Sequence, residues 1–284
     1  MNGKISLSTY LLKFDKYTDS IIFNPEIRGF KRFFLEISFG FLKSLRAAFF
    51  ALLFFVSVLI IPRDGILGMP RYDILLIVML SVQVWLIINK LESKQEFFGI
   101  LIFHFLGFAM EVFKVSAEIA SWNYQDFGYT KFFGVPLFAG FMYAAIGSFM
   151  LQLWRSMRFE IHHPPSLYFG LILSLLIYIN FFTHHFIGDY RIFLALIALM
   201  LYRKTKIYFY PFDKQYSCHL LIFFLFIGFL IYIAENFGTF FHVWHYPNQA
   251  EEWELVHIGK WNSWALLSIM TFSIVIFLKN LNTK

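Results

Sequence analysis

The chain has 284 residues, of which 59% are hydrophobic, 22% aromatic and 15% charged, with a formal net charge of +6. Soluble domains carry about 25% charged residues, and a single core stops growing near about 250–300 residues, so this much apolar surface must face something other than water. That excludes an ordinary water-soluble enzyme, a disordered chain, a nucleic-acid module and, with Cys218 as the one cysteine, a disulfide scaffold; it leaves an all-α, polytopic transmembrane helical bundle whose partner is the lipid bilayer.

Residues 1–46 are basic and lack the apolar run of a cleavable signal, so the N-terminus is expected to be retained. Lys31, Arg32, Lys43 and Arg46 interleave with Phe33, Phe34, Phe39 and Phe41. That pattern predicts either an amphipathic segment on the inner leaflet or a plain basic flank. Residues 47–284 read as one transmembrane domain. A membrane helix needs about 20 mostly apolar residues, and eight stretches approach this: Leu45–Ile61, Tyr72–Ile88, Phe97–Ile119, Phe132–Trp154, Leu167–Phe182, Tyr190–Tyr202, Cys218–Phe241 and Trp261–Leu278. The sixth is the shortest. With eight spans and both termini cytoplasmic, most of the 24 Lys and Arg fall on the inner side, including Lys90, Lys94, Arg155, Arg158, Arg203, Lys204, Lys206, Lys214, Lys279 and Lys284. That is the positive-inside pattern of a membrane protein whose inner side is the cytoplasm. His162 and His163 fall in an inner loop and read as turn residues.

Ionisable side chains in membrane spans are costly and mark candidate sites. In the third span His104, Glu111 and Glu118 are spaced by seven and share one helical stripe. Lys114 is placed to pair with Glu111 or Glu118. This span ends in Trp122, Asn123 and Tyr124, which suit a membrane–water boundary. The seventh span repeats the theme with Glu235 and Asn236, then His242, Trp244, His245 and Tyr246. Lys260 follows before the eighth span, and His184, His185, Asp189 and Arg191 lie between the fifth and sixth. All three clusters fall on the outer side of the eight-span topology.

A carboxylic acid in apolar surroundings can hold and deliver a proton near neutral pH. Glu111, Glu235 and Glu118 are therefore the candidate acid/base residues, acting on an alkene or ether of a lipid or isoprenoid. His104, Lys114, Trp122, Asn123, Tyr124, Asn236, Trp244, Tyr246 and Lys260 are candidate substrate-binding residues. His184, His185, Asp189, His242 and His245 have the atom types of metal ligands, although no HExxH, Cys pair or regular His box accompanies them, and no motif names a cofactor. Two other readings use the same residues: a proton or ion path in a transporter or channel, and interhelical hydrogen bonds with no further role.

Trp122-Asn123-Tyr124 and Trp244-His245-Tyr246 share the form Trp-x-Tyr, each after an Ala-Glu (Ala117-Glu118, Ala234-Glu235) and before another span. This hints at two four-helix halves in the same orientation. In the fourth span Gly140, Ala144 and Ser148 form a small-residue ridge for close packing, expected against the third.

The stretch from Gly134 to Ala145, Gly-Val-Pro-Leu-Phe-Ala-Gly-Phe-Met-Tyr-Ala-Ala, resembles a signature of the bacterial membrane family called domain of unknown function 817. Glu111-Val112-Phe113-Lys114-Val115, Ser121-Trp122-Asn123-Tyr124 and Tyr246-Pro247-Asn248-Gln249, with Trp253, Val256, Lys260, Ser263 and Trp264, resemble the same family. The resemblance implies an integral membrane protein and carries no activity. A narrower likeness, borne by Glu111, Trp122, Tyr124, Gly134 and Pro136, is to membrane hydratases and small cyclases of carotenoid metabolism.

Overall fold

The structure, a computed structural model, describes residues 7–281; Lys284, counted above with the inner-side charges, lies outside them. Its helices are α1 (Leu7–Ile22), α2 (Gly29–Ala47), α3 (Phe49–Ile60), α4 (Arg71–Ile88), α5 (Lys94–Val115), α6 (Ala139–Met157), α7 (Leu167–Thr183), α8 (Arg191–Tyr202), α9 (Leu220–Phe240) and α10 (Gly259–Leu281). A helix forms at each of the eight predicted stretches. Four of them, α4, α5, α9 and α10, are long and apolar enough to cross a membrane, or five spans if α2 and α3, bent by 73° at Ala48, count as one. α7 and α8 are shorter, and in α6, a continuous helix, Gly140, Gly147, Ser148, Gln152 and Arg155 break the apolar run.

α6 is the centre of the bundle, with 12 of its 19 residues buried. It packs on α5, α10, α2 and α3. Its small residues face α5: a Cβ on Gly140 would lie 2.6 Å from the His104 ring, and one on Gly147 2.2 Å from Phe103. α9 and α10 form the other tight pair, in which Gly228 admits the Ala265 backbone. The outward faces are apolar. Ile77, Leu80, Val84 and Ile88 on α4, Ile172, Leu175 and Ile179 on α7, and Ile222, Phe226 and Ile233 on α9 are all exposed. Water would oppose such a surface; hydrocarbon does not.

α2 is reversed relative to a helix on a water-soluble protein. Phe30, Phe33, Phe34, Ile37 and Phe41 form one exposed stripe, whereas Glu36 and Lys43 are buried. Glu36 accepts from the Tyr216 hydroxyl at 2.7 Å, and the Lys43 amine donates to the Pro211 carbonyl at 2.6 Å.

Two small sheets depart from the all-α expectation. β1 (Lys131–Phe132) and β2 (Val135–Pro136) form a hairpin where the fourth span was predicted to begin. Gly134, at φ +80°, makes its turn. β3 (Glu160–His162), β4 (Lys206–Phe209) and β5 (Tyr216–His219) form an antiparallel sheet in the order β3-β4-β5. His162 is thus a strand residue, and Cys218 is half-buried in β5. These segments leave helices, so their backbone groups need partners, and the β-branched and aromatic run Ile207-Tyr208-Phe209 suits a pleated strand. The sheet joins the loops after α6 and α8 at one end of the bundle.

The first turn of α4 ties the opposite end together. Arg71 donates to the carbonyls of Val58 and Phe241 at 2.7 and 2.8 Å, and the Tyr72 hydroxyl donates to Val243 at 2.8 Å. Asp73 accepts from the backbone N–H groups of Tyr129 and Thr130, both at 2.8 Å.

Candidate functional site

Glu111 lies on the last turns of α5 and is 3% exposed. Its Oε2 accepts from the Trp122 indole at 2.7 Å and the Tyr124 hydroxyl at 2.9 Å, and its Oε1 accepts from the Tyr143 hydroxyl of α6 at 2.7 Å. A carboxylate has about four acceptor positions, so one remains. Gly107 lets Tyr143 lie against α5, because a Cβ there would meet the Tyr143 ring at 2.3 Å. Glu235, 6% exposed on α9, accepts from the Tyr246 hydroxyl.

The two Trp-x-Tyr segments meet directly. Asn123 and His245 exchange two backbone hydrogen bonds of 3.0 Å each as an antiparallel bridge. Their rings interlock across it: Trp122 meets Tyr246 edge-on at 5.9 Å, and Tyr124 lies 6.5 Å from Trp244. Each segment thereby delivers a tyrosine hydroxyl to the glutamate of the preceding helix. Burial, and then the adjacent carboxylate, push the Tyr124 and Tyr246 hydroxyls well above the usual phenol range, so both remain donors. The Lys260 amine caps this assembly, 4.6 Å from the Tyr246 ring and 5.1 Å from the Trp122 ring.

Below the bridge is a cavity of about 250 Å³ lined by α3, α5, α6, α9 and α10. Glu111 and Glu235 are its two charged residues, at one end with Trp122, Tyr143, Trp244 and Trp264; the remaining wall is Ala, Leu, Ile, Met and Phe. Leu52 of α3 and Leu230 of α9 both line the cavity and are 39% exposed. The cavity wall therefore reaches the apolar outer surface of the bundle at α3 and α9.

Other predicted site residues fall elsewhere. α5 ends at Val115 and the chain turns at Ser116 (ψ 148°), so the seven-residue stripe stops before Glu118, which is exposed in the following turn. His104 packs 4.6 Å from the Phe141 ring, on the far side of the cavity wall, and stacks on Phe108; it does not itself line the cavity. Lys114 does not pair with a glutamate; its amine meets His185 Nε2 at 2.6 Å and His184 Nε2 at 3.3 Å. Asn236 holds the loop before α10 by accepting from Val256 N–H at 2.9 Å, and Asn123 acts through its backbone. His242 and His245 do meet, Nδ1 to Nε2 at 2.7 Å, although α9 has ended and His242 is left-handed at φ +56°. Asp189 is occupied by Arg191, which holds its carboxyl down at about 2. The expected metal ligands are thus distributed as two separate pairs and one ion pair, and among the described residues no three His, Cys, Asp or Glu side chains converge on a metal position.

Sequence reasoning missed Tyr143, which supplies the third donor to Glu111. Its only sequence signal was its place within the Gly134–Ala145 signature.

A family model described as "Protein of unknown function (DUF817)" matches residues 36–272. The chain belongs to this family. The match includes α3 to α9, both Trp-x-Tyr segments and most of α10, so every residue of the cavity lies within the family region. Among curated proteins, the "Uncharacterized protein YoaT" of Bacillus subtilis (strain 168) is 41% identical over 248 residues, covering 87% of this chain and 93% of that one. No solved structure is significantly similar.

Proposed function

We propose that this DUF817 protein is an enzyme of the bacterial inner membrane that performs acid/base chemistry on a lipid or isoprenoid chain. One observation carries the reading: two buried glutamates at the end of an apolar cavity whose wall reaches the outer surface of the bundle at α3 and α9. An apolar ligand enters such a space from the bilayer without crossing water. Protonated Glu111 delivers its proton to an alkene carbon, and Glu235 removes a proton from a neighbouring carbon. The double bond shifts, atoms and charge balance, and the two carboxyl groups exchange protonation states. Tyr143, Trp122 and Tyr124 hold Glu111 in place, as Tyr246 holds Glu235. Such fixed donors stabilise the carboxylate left after proton transfer.

In this reading the eight helices α3 to α10 cross the membrane with both termini in the cytoplasm. α2 lies on the inner leaflet with its phenylalanine stripe in the acyl region, which accounts for the bend at Ala48. The two halves, α3–α6 and α7–α10, each contribute one glutamate and one Trp-x-Tyr segment, and the site lies at their interface. The break at Ala48, a residue of the cavity wall, favours a transporter as the second reading, because interrupted helices there can act as hinges.

The test is lipid profiling of a deletion strain complemented with wild type or Glu111→Gln. Wild type restores a lipid species that Glu111→Gln, expressed at the same level, leaves about 100-fold reduced, the scale of losing a positioned acid. An unchanged lipid profile with altered ion or solute uptake would replace the enzyme by the transporter.

A further inference from the structure

A second cluster lies one turn beyond Glu111 and takes no part in the cavity. Lys114 is 5% exposed, yet both of its hydrogen bonds go to imidazoles. His184 Nδ1 lies 2.9 Å from the Asn180 carbonyl. That contact requires the ring proton on Nδ1 and leaves Nε2 as an acceptor for Lys114. The His185 imidazole, pushed down to about 4 by desolvation and then by the Lys114 charge, is neutral as well. Lys114 is therefore solvated by two neutral rings and receives no countercharge from them. A buried ammonium without a countercharge is strongly disfavoured.

The neighbours deepen the deficit. Lys260 and Arg191 are the cations that act most strongly on Lys114, against Asp189 and Glu111. Asp189 is already bound by the Arg191 guanidinium at 2.8 and 2.9 Å, and Arg191 also donates to Ser263 at 2.7 Å. Glu111 is engaged by its three donors. On the face of α7 that carries His184, one turn earlier, Asn180 is 4% exposed, and neither its carboxamide oxygen nor its nitrogen has a partner. Asn180 is linked to Lys114 through the His184 ring, and a buried, unpartnered carboxamide next to that chain of contacts indicates a missing polar ligand.

We propose that Lys114, Lys260, His184, His185 and Asn180 form a binding site for a phosphate group, brought either by a free phosphate or by a lipid headgroup. Two lysines and a carboxamide are separate point donors, which suits the divergent oxygens of a tetrahedral anion better than a flat carboxylate. Lys260, which also lies over the Trp122 and Tyr246 rings, joins this site to the glutamate end of the cavity; the proposal concerns anion binding alone and does not depend on the chemistry proposed for the cavity.

The experiment titrates the full chain, purified in a neutral detergent, with inorganic phosphate and separately with short-chain phosphatidic acid, using calorimetry at low salt. Phosphatidylcholine of the same chain length is the control. At least one anionic probe binds, and Lys260→Gln and Lys114→Met each weaken it about tenfold or more, as expected for losing a charge-assisted donor. Binding of phosphate alone identifies a free anion, and binding of phosphatidic acid alone a headgroup. Should Lys114→Met fail to elute as a single species, Lys260→Gln decides. The proposal is overturned if wild type binds neither anion more tightly than the control, or if Lys260→Gln binds like wild type.

Discussion

Histidine is the residue whose environment changes most between sequence and structure. Four imidazoles at the end of the bundle that carries the Trp-x-Tyr bridge, His184, His185, His242 and His245, are all held below their ordinary range, with desolvation as the leading cause. For His185 the folded value is about 4 against an ordinary 6.5. The folded chain then binds fewer protons than the unfolded one between these values, so the stabilisation is fully present above about pH 6.5 and is lost as pH falls toward about 4. The thermal midpoint in detergent should fall across that window, and His185→Gln should flatten part of the fall. An unchanged slope in the variant would show that His185 is equally solvated in both states. Lys114 teaches the same lesson: its spacing from Glu111 fits an i,i+3 ion pair, but His184 and His185, contributed from across the bundle, take the amine.

At the scale of elements, close helix approach rests on a few glycines. A Cβ at Gly228 would lie 2.5 Å from the Ala265 nitrogen, a backbone atom that cannot turn aside. Gly228→Ala should therefore separate α9 from α10 and destabilise the fold by about 1–3 kcal/mol. Gly40→Ala, whose Cβ would lie 3.8 Å from Pro211, should be close to neutral. Comparing thermal midpoints of the two variants checks this; equal midpoints would mean that the α9–α10 pair is looser than its packing indicates. The eight helices α3 to α10 were legible from apolar runs, but α1 and the ends of the helices were not. Seven-residue spacing put Glu118 on the stripe of Glu111, whereas Ser116 turns the chain one residue after α5 ends. No hydropathy pattern marks that turn, because Ser116 and its neighbours are neither strongly polar nor glycine. The short strands were equally hidden, since Glu160–His162 acquires its partner from Lys206–Phe209 after a gap of two helices.

For the whole molecule, alternating helices put the loops at two ends, the three-stranded sheet at one and the Trp-x-Tyr bridge at the other. Basic residues crowd the sheet end, and the proposed orientation puts that end in the cytoplasm. In a Cys218→Ser background, cysteines at the exposed positions Asp64 and Glu251 should react with a membrane-impermeant maleimide in intact cells, and a cysteine at exposed Lys204 should not. The reverse labelling would invert the topology and place the glutamate end in the cytoplasm.

Composition alone determined that the chain must face hydrocarbon, because the excess of apolar side chains is a property of the sum and needs no geometry. The high cost of charge in apolar runs likewise singled out Glu111 and Glu235. Tertiary structure alone decided what each polar group meets: Asn123 paired with His245, Tyr143 on Glu111, Lys114 among imidazoles, and the metal-type residues divided into pairs. Burial is a tendency that every residue carries along the chain, whereas a hydrogen bond needs two groups within about 3 Å, and only the packing of helices distant in sequence brings them there.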